Sequence, residues 1–281
     1  MPVSAEELTA LLDVETIDVN LFRGTQPTTS RQRVFGGQVA AQSLVAAART
    51  VPPERAVHSL HSYFLRPGDH AVPIVYDVEC VRDGRSFTTR RVVARQHGRP
   101  IYVMTASFQV EEGGFDHQDP MPDVPAPEDA VDMVELMHRR SPEHADHWRS
   151  EWAALDVRIV GEFRAPDHPA ASRLWLRVHG RLDDDPVTHH AAFTYASDLT
   201  LLGAALVPHG IDITDPSIMP ASLDHSIWFH RSFRADEWLL YDQVSPSASG
   251  ARGLALGRVF TLSGMLVATV AQEGLIRPLS R

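Results

Sequence analysis

The sequence is poor in the features that mark a specialised environment. Only one of its 281 residues is a cysteine, Cys80, so no disulfide can form within the chain, and a reducing compartment suits it. Cys80 itself is expected as a small apolar strand residue. Positive charge is outweighed: 26 Lys and Arg against 36 Asp and Glu give a formal net charge of −10 at pH 7. That argues against a binder of duplex nucleic acid, which needs a basic face for phosphates, but not against an anionic ligand held by a few local arginines. No apolar run approaches the roughly 18 residues that a membrane span needs. The N-terminal Met1-Pro2-Val3-Ser4-Ala5-Glu6-Glu7 has no basic segment ahead of an apolar one, and the last residues lack a Ser-Lys-Leu address. The expectation is a cytoplasmic protein with neither nucleic acid nor a membrane span among its partners.

Several catalytic layouts are missing too. There is no Gly-x-Ser-x-Gly nucleophile elbow, no His-Glu-x-x-His, no Walker lysine loop and no Gly-x-Gly-x-x-Gly fingerprint. The 15 histidines are scattered, with close groupings that include His144 and His147, His189 and His190, and His225 with His230. Metal ligands must converge in space as well as in sequence, so neither a metal nor a cofactor is expected.

What is present is an ordinary globular mixture, 43% hydrophobic and 22% charged, long enough for one large domain or two medium ones. Ser4-x-x-Glu7 is a capping box ahead of a short helix with Leu8, Leu11 and Leu12. Ile17, Val19 and Leu21 alternate as a strand. After Phe35-Gly36-Gly37-Gln38 an alanine-rich stretch reads as a buried helix that stops at Pro52-Pro53. The period then changes to two, and strands are expected over Val57 to Leu65, Pro73 to Val81, Ser86 to Gln96 and Ile101 to Val110. Turn residues such as Asp83-Gly84 and His97-Gly98 separate them. Residues 113–150, rich in Pro, Gly and Asp at first and then helical, are expected to link an N-terminal domain at 1–112 to a C-terminal one at 151–281.

The second part repeats the order of the first. Strands are expected over Val157 to Arg164 and Arg173 to Val178, a second apolar helix over Thr188 to Leu206, and further strands from Ser222, Glu237, Arg252 and Met265. His61-Ser62-Tyr63-Phe64 recurs 164 residues later as His225-Ser226-Ile227-Trp228. Two copies of one domain in tandem explain both echoes, since the period is far too long for a solenoid.

Asp198 is the residue out of place, because it interrupts a segment built for burial, Phe193 to Leu202. An unpaired buried carboxylate is costly. Asp198 therefore either faces a solvent channel, pairs with an arginine, or serves as a partly buried general base with a raised pKa. Ser222 and Gln272, each readable as a satisfied strand residue, could add a hydroxyl and an amide around a water held by that carboxylate.

These residues fall within segments that resemble the bacterial acyl-CoA thioesterase II family. Its most specific matches are Arg33 to Gln38, His58 to Gly68, Asp198 with Pro208-His209-Gly210, Leu223 to Arg231, and Gln272-Glu273-Gly274, spread over nearly the whole chain. The resemblance implies an α+β architecture of two hot-dog domains, each an antiparallel sheet wrapped around a central helix. It also implies hydrolysis of acyl-CoA to fatty acid and coenzyme A by an Asp, Thr or Ser, and Gln triad. The aspartate falls on Asp198, the glutamine on Gln272, and the hydroxyl, commonly threonine, on Ser222, which lacks the methyl that restricts the rotamer.

On that basis Asp198 takes a proton from a water held by Gln272 and Ser222, in preference to attacking the thioester itself. His58, which pairs with Ser222 in the repeat, is the other catalytic candidate, although a hydrogen-bonded strand histidine is the preferred reading. Gly36, Gly37 and Gln38 either pack helix on sheet or leave room for the pantetheine arm, with packing preferred. Two rival functions are an enoyl-CoA hydratase, whose Asp-x-Asn-x-x-His pattern is missing, and a non-catalytic acyl-CoA binder. A homo-oligomer, dimer or tetramer, is expected from the usual pairing of hot-dog sheets.

Overall fold

Ser4 caps the first helix as expected, its hydroxyl accepting the Glu7 N–H at 3.2 Å, while the Glu7 carboxylate accepts the N–H of Val3 (2.9 Å) and not that of Ser4, so the box is not fully reciprocal. Helix α1 (Ala5–Leu12) buries Leu8, Leu11 and Leu12. The computed structural model describes residues 1–161 and 170–279. Ile17, Val19 and Leu21 do not form one strand. They straddle a tight hairpin between β1 (Val14–Asp18) and β2 (Leu21–Gly24), turned by Asn20 at φ +56°. Asparagine tolerates that left-handed conformation, and Val19 is left 84% exposed at the tip.

Helix α2 (Gly36–Ala48) is buried on nearly every side, because its alanines let the sheet come close all round. Strands β3 (Arg55–Phe64), β4 (Ile74–Asp83), β5 (Phe87–Gln96) and β6 (Arg99–Val110) follow as an antiparallel meander. Cys80 lies on β4 in the same row as the buried Ile74, Tyr76 and Val78 but is exposed, next to the irregularity between Cys80 and Arg82 near the end of the strand. The stretch that follows, largely exposed, is tied down where Trp175 Nε1 donates to Pro125 O (2.9 Å) and Gln118 Nε2 to Gly264 O (2.8 Å). It leads to the two-residue β7 (Val131–Asp132) and to helices α3 (Met133–Arg140) and α4 (Pro142–Trp152).

The second unit comprises β8 (Leu155–Val160), β9 (Ala171–Val178), α5 (Pro186–Ser197), β10 (Ile218–Ser222), β11 (Asp224–Phe229), β12 (Leu239–Ser249), β13 (Arg252–Thr261) and β14 (Leu266–Pro278). The end of the strand expected to reach Arg164 lies outside the described residues. The second apolar helix is shorter than its composition suggests. It stops at Ser197, the chain turns through Asp198 to Thr200, and the remaining leucines continue in 3-10 turns at Leu201–Ala205 and Val207–His209. The 24-residue segment Pro186–His209 contains an 18-residue window of mean hydropathy 1.2 and so reaches membrane-span composition, contrary to the expectation that no run would. It serves instead as core, with 67% of its apolar window buried.

All fourteen strands belong to one sheet, thirteen of them in the order β1-β2-β4-β5-β6-β3-β11-β14-β13-β12-β9-β8-β7, with β10 off that path and paired to β14. Read outward from the β3–β11 seam, the two sides run in the same order, a pseudo-twofold relation between the halves. The echoed motifs meet at that seam. His61 lies opposite Ser226 and Ser62 opposite His225, with His61 Nδ1 and Ser226 Oγ 3.1 Å apart and Ser62 Oγ donating to the His225 carbonyl at 2.7 Å. One apolar cluster spans both sides, from Leu8 and Leu44 to Phe193 and Val270. This is the double hot-dog architecture, an α+β fold whose α2 and α5 lie against each other inside the curved sheet. Their approach is close enough that a Cβ on Gly37 would stand 2.3 Å from the Tyr195 carbonyl oxygen.

Candidate active site

The end of α5 and the start of α2 converge on one chamber of about 1000 Å³. Asp198 is the C-cap of α5, which accounts for an aspartate after an apolar helix: it lies at the turn, not in the helix interior. Ser197, just before it, is anchored by contact with the fully buried His225, Oγ to Nε2 2.8 Å. The Ser197 hydroxyl also donates to Thr194 O (3.0 Å), so the imidazole supplies the proton between them and is the neutral Nε2–H tautomer. Burial holds the His225 pKa down at about 4, consistent with that neutral form.

Ser222 ends β10 opposite Gly274 on β14, the strand that carries Gln272. Ser222 Oγ donates to Asp198 Oδ1 at 3.0 Å, while Gln272 Nε2 donates to the same oxygen at 2.5 Å and to Ser222 Oγ at 2.8 Å. All three expected residues thus meet. Burial raises the Asp198 pKa to about 6, against the opposing pull of Gln272, Ser222, the Gly37 N–H and the nearby Arg31 charge. Asp198 and Ser222 line the chamber, whereas Gln272 is fully buried behind them. It reaches the chamber only through the two groups it holds. Since a carboxylate needs a donor, the amide must turn Nε2 toward Asp198, and its Oε1 is buried without a partner among the described residues.

The remaining candidates separate. Gly36 lines the chamber, and a Cβ there would stand 2.6 Å from Asp198 Oδ2. Gly37 is a contact between helices. Gln38 turns away, its Nε2 donating to Thr25 O (3.2 Å) and Gln26 Oε1 (3.0 Å), and so ties down the preceding loop. His58 does not reach the chamber. It sits at an irregularity of β3 with Nε2 2.8 Å from Ser107 Oγ, and partial burial lowers its pKa. Among the described residues no three His, Cys, Asp or Glu side chains gather as a metal site.

Sequence reasoning missed the chamber wall. Met133 and Met137 on α3, and Trp148 and Trp152 on α4, all line it. Each pair is spaced by four, one face of a helix, and that periodicity was the available signal. Arg31 was missed as well; its guanidinium carbon lies 5.6 Å from the Phe35 ring and 5.2 Å from that of Trp152. The site is thus a carboxylate of raised basicity with a hydroxyl and an amide, at the edge of a largely apolar chamber. It can move a proton beside a long hydrophobic ligand.

Known proteins point the same way. The family model described as acyl-CoA thioesterase matches residues 147–275, and the one described as acyl-CoA thioesterase N-terminal domain matches residues 25–109. The chain is 41% identical to acyl-CoA thioesterase 2 of Haemophilus influenzae, over 95% of this chain and 96% of that protein. It is also 41% identical to human acyl-coenzyme A thioesterase 8, over 96% and 88% respectively. The crystal structure of the acyl-CoA thioesterase II TesB2 from Mycobacterium marinum superposes with a TM-score of 0.84 at 48% identity, covering 97% of this chain and 99% of that one. With such identity over nearly the full length of each partner, the chain belongs to the acyl-CoA thioesterase II family, enzymes of double hot-dog fold that hydrolyse acyl-CoA thioesters.

Proposed function

We propose that Asp198 is the general base of this hydrolysis, with Ser222 beside it at the water and Gln272 as the positioning residue for both. The observation that carries the reading is the triangle of hydrogen bonds at 2.5, 2.8 and 3.0 Å on a carboxyl whose pKa lies near 6. At pH 7 to 8 such a group is largely ionised and able to accept a proton, yet its conjugate acid is strong enough to return one. Water bonds to the thioester carbonyl carbon as its proton passes to Asp198. The tetrahedral intermediate then expels coenzyme A as the C–S bond breaks, and Asp198 gives the proton to the departing sulfur. The developing oxyanion needs donors already in place. The start of α2 supplies candidates, because its N-cap, Phe35, offers no side-chain cap and Gly36 lines the chamber.

The apolar wall from α3 and α4 suits the acyl chain. We infer a division of labour in which 151–281 carries the reacting groups, 1–112 contributes the start of α2, and 113–150 encloses the chain. Cytoplasmic residence and a homo-oligomeric state are part of the same proposal. The test is Asp198→Asn, assayed by release of free thiol from acyl-CoA. The near-isosteric amide should lower kcat by roughly 10²–10⁴, the usual contribution of a positioned base, with KM little changed. A kcat within a few-fold of the parent would remove Asp198 from the mechanism.

A further inference from the structure

A coenzyme A thioester is lopsided: one end is apolar, and the other carries several phosphate charges. This chain has no lysine, so its 26 basic side chains are all arginine, in a molecule of net charge −10. Permanent positive charge for the phosphates can therefore come only from guanidinium groups, which suit phosphate oxygens through paired N–H donors.

Two exposed arginines at the chamber have donors to spare. Arg33 makes no side-chain hydrogen bond or ion pair among the described residues, and Arg66 uses only Nη1, toward the Pro100 carbonyl at 2.7 Å. They come from separate loops that are fastened together. The Val34 N–H donates to Gly68 O at 3.1 Å, and a Cβ on Gly68 would stand 2.9 Å from Val34, so the contact needs glycine. Gln96 braces the second loop, donating to Asp69 O (2.7 Å) and Val72 O (2.6 Å) and accepting the Asp69 N–H (2.7 Å). The two cations therefore stand on a braced rim.

Elsewhere on the chamber lining stands Asp215, and hydrogen bonds from Ser217 hold its carboxyl below its usual range, so it is ionised. One part of the lining attracts a polyanion and another repels it. We propose that Arg33 and Arg66 form the docking rim for the phosphate groups of the coenzyme A moiety, which fixes the direction in which the thioester enters. The proposal rests on the thioesterase reading and adds to it a polarity. The nucleotide stays at the arginine rim while the acyl chain passes Asp198 toward the methionines and tryptophans of α3 and α4.

The test compares the parent with Arg33→Ala/Arg66→Ala on two substrates that share an acyl group: acyl-CoA, and acyl-pantetheine, which has no phosphate. Direct titration with coenzyme A accompanies the kinetics. The expected result is a KM for acyl-CoA raised at least tenfold, with a rise for acyl-pantetheine at least fivefold smaller. The Kd for coenzyme A should weaken at least tenfold, with a shallower dependence on salt. A KM for acyl-CoA within twofold of the parent, or equal rises with both substrates, would overturn the proposal. Should the parent release no thiol from acyl-CoA, the catalytic reading falls, and the docking rim is then decided by coenzyme A titration: a tenfold weaker Kd upholds it, and an unchanged Kd refutes it.

Discussion

Asp198 is held between two helix ends of opposite polarity. It caps the C-terminus of α5, where a negative charge is disfavoured, and accepts from the first turn of α2, where it is favoured. Desolvation prevails, and the carboxyl titrates near pH 6. The acid limb of the pH–rate profile should therefore have an apparent pKa near 6, with activity falling about tenfold per unit below it. A limb near pH 4 would mean that the working base is a different, better solvated group. The same displacement acts on stability with a definite sign. Folded Asp198 binds its proton more tightly than the unfolded chain, so its ionisation opposes folding above about pH 6 and has no effect below the unfolded value of about 3.9. Asp198→Asn should thus raise the unfolding free energy at pH 8 by on the order of 1–3 kcal/mol and leave it unaltered at pH 4, as urea titrations at the two pH values can show. Ser222 donates to this carboxylate, a bond worth about 1.5–3 kcal/mol when the acceptor is charged, so Ser222→Ala should lose roughly 10- to 100-fold in kcat. It should also move the acid limb upward, since the lost donor had favoured ionisation. Ser222→Thr keeps the oxygen and should retain most activity. If alanine performs as well as threonine, the hydroxyl has no part in the reaction.

At the level of elements, α2 does the most to shape the site, and its two leading glycines have separable duties. A methyl on Gly37 would press on a backbone carbonyl that cannot turn aside, 2.3 Å away. Gly37→Ala should force α2 and α5 apart at a cost of about 1–3 kcal/mol, seen as a lower thermal midpoint. A methyl on Gly36 meets the Asp198 carboxylate at 2.6 Å, so Gly36→Ala should reduce kcat more than it reduces the midpoint. Matching losses in the two variants would contradict this separation. The meander β3 to β6 could be read in the sequence because alternation and turn dipeptides agree there. The end of α5 could not, since Leu199, Leu201 and Leu202 prolong the apolar run after the helix has stopped, and their burial comes from tertiary packing. Residues near 20 misled for a related reason: three alternating apolar side chains span a hairpin that a single asparagine turns. Asp198 was conspicuous as a carboxylate among apolar residues, and Ser222 and Gln272 gained meaning chiefly through the family resemblance. The wall formed by α3 and α4 follows a stretch with the composition of a linker, which hid the fact that these helices enclose a chamber.

The whole molecule is joined along β3 and β11, and its apolar cluster crosses that seam. A chain ending at Asp119 would expose the β3 edge and half the core, so it should be insoluble or aggregated, as light scattering would reveal; a monomeric fragment with a cooperative melt would show the halves to be independent. Acid should weaken the intact protein. His190 and His225 are buried, and burial brings both to a pKa of about 4. Between that value and the unfolded value of about 6.5 the unfolded chain binds more protons, so this stabilisation is complete above pH 6.5 and is lost as pH falls toward 4. From pH 7 to 5 the two together should lower the unfolding free energy by on the order of 4 kcal/mol, offset in part by Asp198, whose contribution has the opposite sign. Stability that holds or rises over that interval would show that the imidazoles accept protons in the folded state. The pseudo-twofold relation also determines how many reaction centres a chain possesses. The C-cap of α2 corresponds to that of α5, but it is Arg49, engaged with Asp13 and the Val14 carbonyl, where the other helix has Asp198. A cation cannot take a proton from water, so the proposed role of Asp198 carries with it a single reaction centre per chain in spite of the duplicated architecture. A tight-binding, non-hydrolysable thioester mimic should titrate to one equivalent per polypeptide, and any larger assembly should count its working sites by chains and not by hot-dog units.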